Sequence, residues 1–172
     1  FKWHGEIYLM RKKLFLILFF LNIATNSYSA GSDSNSTTSK VKSDYDKAVE
    51  SIKFAKKFEK KGKIKKAMKR YTKAQKLLLK SNSKKPNQAD TLNYLGFATR
   101  KLGDFKKGEE YYLLGLKIDP NHNGINEYLG ELYVATNRMD LAKERLKVLE
   151  NCSCEEYTEL KQVIDGSKQS KY

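Results

Sequence analysis

The chain has 172 residues, 40% of them hydrophobic and 31% charged, and a formal net charge of +14. That length suits one domain with a continuous core. Its two histidines and two cysteines form no metal-ligand cluster and no nucleophile–base pair, so catalysis is not expected. No cofactor or metal site is assigned, and the glycines, at repeat-packing positions, form no phosphate loop.

In chain order, residues 1–9 (FKWHGEIYL) precede Met10 and read as upstream or fragment sequence. Residues 10–29 have the pattern of a cleaved secretory signal: Arg11-Lys12-Lys13 form a charged start and Leu14 to Leu21 an apolar run. Ser27 and Ser29 are the small pair before a cleavage point at Ala30. The mature chain is then expected to lack tryptophan, since Trp3 is the only one. The apolar run is short for a bilayer, so no stable membrane span is expected after cleavage. The short charged start is typical of bacteria, which makes the protein periplasmic or secreted and nucleic acid an unexpected partner. Residues 30–44 are rich in Ser, Thr and Asn and read as a disordered polar leader.

The remainder, 45–166, is expected to be wholly helical, with a loose tail at 167–172. Between Ala89 and Pro120 two amphipathic stretches flank a turn at Leu102-Gly103-Asp104. Gly96, Gly108 and Gly115 let the two helices approach closely. Stepping 34 residues on maps Leu95-Gly96 to Leu129-Gly130, Gly103 to Asn137, Gly108 to Ala142 and Tyr112 to Leu146. Stepping back 41 residues maps Gly103 to Gly62, Gly108 to Ala67, Tyr112 to Tyr71 and Gly115 to Ala74. The extra seven residues are close to two helical turns, so the second helix of the first unit is expected to run on through Leu77-Leu78-Leu79. The units fall at about 48–81, 89–122 and 123–153. A last helix at 155–165, with Tyr157, Leu160 and Ile164 on one stripe, should cap the array against the helix containing Leu146.

This Leu-Gly, small-residue and terminal-Pro spacing resembles the tetratricopeptide repeat. The runs NYLGFATRKLGDF, NEYLGELYVATNRMDLAKERL and CEEYTELKQVI look like small exported alphaproteobacterial proteins of that family. The resemblance implies an all-α, right-handed solenoid of three helix–turn–helix repeats plus a C-terminal capping helix. It also implies a non-catalytic scaffold whose first helices line a concave groove for a peptide or partner helix, with partner and oligomeric state unspecified. One subclass of the family binds a terminal carboxylate through a basic clamp. The matching positions here are Ile52, Lys56, Tyr94, Gly124 and Tyr128, and only Lys56 has a suitable type. The expected groove residues are Lys56, Asn93, Tyr94, Phe97, Arg100, Glu127, Tyr128 and Glu131, on faces turned away from the packed Leu92, Leu95 and Thr99. They form either a recognition surface or a plain surface bridge between Arg100 and the glutamates.

Two further features carry alternative readings. Residues 40–85 hold 18 Lys or Arg against four acids, whereas residues 86–172 hold 12 against 14. That basic first repeat is either a solvated face or a dock for cell wall or anionic membrane. Cys152 and Cys154, in an oxidising compartment, form a local disulfide, stay free, or serve thiol or copper handling.

Overall fold

The computed structural model describes residues 41–170. The upstream residues, the signal with its cleavage before Ala30, and the leader as far as Lys40 lie outside the described residues. Seven helices follow in order: α1 Asp44–Lys60, α2 Ile64–Lys84, α3 Ala89–Lys101, α4 Phe105–Ile118, α5 Asn123–Ala135, α6 Met139–Leu149 and α7 Glu155–Ile164. No strand occurs among the described residues. The helices pair as α1/α2, α3/α4 and α5/α6, each pair packs on the next, and α7 closes the array. The result is a helical solenoid.

Local chemistry sets the helix ends. Ser43 and Asp46 form a reciprocal capping box that starts α1. Asp104 accepts from the Lys107 amide at 2.9 Å to start α4. Each pair turns through one residue in the left-handed backbone region, Gly62 at φ 65°, Gly103 at φ 98° and Asn137 at φ 58°. Glycine and asparagine tolerate that region best. The second helix of the first pair continues past Leu79 to Lys84, in keeping with its two extra turns.

Small residues hold each pair together. Ala67 and Ala142 are fully buried and Gly108 is buried at the equivalent place in the middle pair. Gly96 on α3 seats the ring of Tyr112, whose atoms would lie 2.5 Å from a Cβ at that position. One core cluster joins Ile52, Tyr71, Leu78, Leu95 and Phe97. A second joins Tyr112, Ile125, Leu129, Leu132 and Ala142. Most lysines of α1 and α2, among them Lys53, Lys57, Lys65 and Lys73, point into solvent.

The C-terminal end differs from expectation in three respects. Leu160 is fully buried, but it rests on Gly130 of α5, where a Cβ would come 2.5 Å from its Cδ2. The capping helix therefore packs mainly on α5 and less on α6, the helix of Leu146. Val163 is the second buried residue of α7, while Tyr157 and Ile164 are half-buried. Finally, the start of the tail is held: the Lys168 amide donates to the Gln162 carbonyl at 3.1 Å, and its ammonium pairs with Glu159 at 3.0 Å.

Candidate functional site

The first helices α1, α3 and α5 lie side by side and bring the sequence-derived groove residues together. Lys56 of α1 reaches across to α5, donating to the Tyr128 hydroxyl at 3.3 Å, and its ammonium lies 4.6 Å from the Phe97 ring centre. Phe97 and Tyr128 have ring centres 5.0 Å apart. Tyr94 meets Tyr45 of α1 edge-on at 5.9 Å.

Most of this set is interior, which corrects the expected solvent-facing surface. Phe97 and Arg100 are each 1% exposed, Glu131 0%, Glu127 4% and Asn93 6%. Only Lys56, Tyr94 and Tyr128 keep part of their surface open. The cause is that α3 has neighbours on nearly every side: α2, α4 and α5 pack on it and α1 touches it. A helix so placed has no free stripe, whatever its helical period. The rings of Phe97 and Tyr128 belong to the packing, so truncating both would not spare stability.

Arg100 is the hub of that interior. Its Nη1 donates to the Tyr128 carbonyl at 2.6 Å, and its Nη2 lies 3.6 Å from Glu131 Oε2. The pair is fully buried rather than a surface bridge. Burial lowers the Arg100 pKa to about 10, against the opposing pull of Tyr112 and Glu131, so the guanidinium stays charged at neutral pH. Glu127, Glu131 and Glu159 offer carboxylate oxygens within 4.8 Å of one another. A guanidinium beside Glu131 supplies positive charge to this trio, which reads as its counter-charge rather than as a metal centre.

Two cavities open on this face. One, of about 470 Å³, lies at the N-terminal ends of α3, α5 and α7, with Tyr45, Tyr94 and Tyr128 in its walls. Burial, then the charge of Asp90, holds the Tyr45 and Tyr94 phenols above their usual range; burial and then Glu127 do so for Tyr128. All three are therefore neutral hydroxyls at physiological pH. His122 Nδ1 accepts from the Ile125 amide at 3.2 Å, so Nε2 carries the proton toward Asp90 Oδ1, also at 3.2 Å. The other cavity, of about 430 Å³, lies between Lys56 and Lys60 of α1, Phe97 and Lys101 of α3, and Lys168. There Lys101 pairs with Glu59 at 2.7 Å.

Sequence reasoning missed Tyr45, Asp90, Asp119, His122 and Glu156 in the first cavity. The available signal was an acid in the first turn of two helices, Asp90 on α3 and Glu156 on α7. Of the clamp positions, Ile52 is core at 2% exposure, and Lys56 is engaged with Tyr128.

A family model for the tetratricopeptide repeat matches residues 89–122, which is α3, α4 and the connection to α5. By that match, residues 89–122 form a tetratricopeptide repeat. A solved structure described as the first TPR of Spaghetti (RPAP3) bound to the HSP90 peptide SRMEEVD is similar at 21% identity. That match covers 74% of this chain and 97% of the other, with a TM-score of 0.47. A search of curated proteins finds no match. Between α6 and the capping helix, Cys152 and Cys154 are joined in a disulfide. While that bond stands, neither sulfur is a thiolate, so a Cu(I) role would require the reduced form.

Proposed function

We propose that the chain is a non-catalytic binding module, exported to the bacterial periplasm, that takes a segment of a partner protein at the tyrosine-lined mouth of its inner face. One observation carries this reading: Tyr45, Tyr94 and Tyr128 come from three successive inner helices and line a single cavity, each only half-buried. Tyrosine offers a broad apolar contact and a polar tip for little conformational entropy, which suits it to anchoring a bound segment. Behind the rings, the buried Arg100 network keeps the inner helices in register.

The test is site-specific photo-cross-linking in cells, with a benzophenone amino acid at Tyr94 and, as control, at the exposed Lys143 of α6. An adduct recovered from the periplasmic fraction with the Tyr94 probe and not with the Lys143 probe is expected. Adducts only from Lys143, or from neither position, would overturn the assignment.

A further inference from the structure

A chain of net charge +14 encloses a cavity lined by four carboxylates, Asp90, Asp119, Glu127 and Glu156, and by no lysine or arginine. Acids near helix N-termini are favoured by the helix dipole, which accounts for Asp90 and Glu156 without a ligand. Asn93 is what that account leaves over. It is 6% exposed and lies in the lining of the same cavity, and its Oδ1 has no hydrogen-bond partner among the described residues. Buried amide oxygens are normally satisfied. The amide packs against Gly124, where a Cβ would come 2.8 Å from Asn93 Nδ2. A side chain at position 124 would push this amide out of place.

A ligand rich in N–H donors and carrying positive charge answers the acids and, on a turn of the Asn93 side chain, the unpartnered amide oxygen. Tyr94 and Tyr128 in the same lining give such a cation aromatic neighbours. We propose that the cavity receives an arginine or lysine side chain from a basic segment of the partner. The proposal rests on the binding reading above and adds the chemistry of what enters. Arginine is the better fit, because its planar fork serves several acceptors at once and stacks on aromatic rings.

The full chain is titrated by fluorescence anisotropy with a labelled heptapeptide alternating serine and arginine. The same peptide with neutral citrulline in place of arginine is the comparison. The arginine peptide should bind at least about tenfold more tightly, and the difference should shrink with added salt. Asp90→Asn combined with Glu156→Gln keeps the shape of the rim and should weaken the arginine peptide by about tenfold. Asp140→Asn with Glu144→Gln, on exposed α6 positions, should leave it unchanged. Equal binding of the two peptides, or no effect of the rim substitutions, overturns the proposal. If the arginine peptide fails to bind while the Tyr94 cross-link persists, the cationic ligand falls and the binding reading stands; loss of both removes both.

Discussion

The seating of the capping helix can be tested by a double-mutant cycle on Gly130 and Leu160. Leu160 is fully buried, and its Cδ atoms fill the space where a Cβ of residue 130 would sit, at 2.5 and 2.7 Å. Leu160→Ala removes the apolar contact and leaves a hole, at a cost of about 2–4 kcal/mol. Gly130→Ala in the parent gains about 1 kcal/mol of helix propensity, set against about 1–3 kcal/mol of overpacking on Leu160. In the Leu160→Ala background the new methyl enters vacated space, the overpacking disappears and only the propensity gain remains. The two changes should therefore be coupled by about 1–3 kcal/mol, with the double variant more stable than Leu160→Ala alone. Urea unfolding of the four proteins, read as midpoint shifts at constant slope, supplies the values. Additivity within about 0.5 kcal/mol would mean that α7 does not rest on α5. An unchanged midpoint for Leu160→Ala would mean that it is a detached tail.

Arg100→Met should cost about 3–5 kcal/mol, because Glu131 is left buried without its guanidinium; adding Glu131→Leu should recover part of that loss in the same urea assay. In alkali, Tyr45, Tyr71 and Tyr128 hold their protons in the fold above the ordinary phenol pKa, chiefly through burial. The unfolded chain releases those protons near its ordinary value of about 10. Their stabilising contribution is thus intact below that pH and lost above it. Helicity should fall together with the rise in tyrosinate absorbance, and ionisation of these phenols without loss of helicity would contradict their burial.

Much of the fold was legible because it rests on residues with few substitutes. Gly62, Gly103 and Asn137 could be aligned by spacing alone, and all three adopt the left-handed turn conformation. Ala67, Gly108 and Ala142 aligned the same way, and all three lie at buried helix contacts. The inner face was less legible. Helical period told which residues share a stripe on α3, but not that a further helix covers the second stripe and buries Phe97 and Arg100. The 34-residue step from Tyr112 also led to Leu146, whereas the side chain nearest Gly130 is Leu160 from outside the repeat. A repeat ends where the next copy is missing, and what fills the vacancy obeys no period. The acidic cavity escaped notice because its four carboxylates come from three helices and one connection.

The crowding of lysine on α1 and α2 has a consequence for how the array comes apart. A solenoid is a row of units coupled only to their neighbours, so its weakest end opens first. The first pair carries like charges with few acids to offset them, and Lys84 with Asp44 at 2.7 Å is one of its few counter-ion contacts. Mutual repulsion among those lysines lowers the cohesion of this pair without touching its hydrophobic packing. Ionic strength thus acts as a selective tension control: dilute buffer loosens the amino-terminal pair, physiological salt lets it close, and the carboxy-terminal repeats and cap respond little. Amide hydrogen exchange would display this as a salt-dependent gradient running along the row.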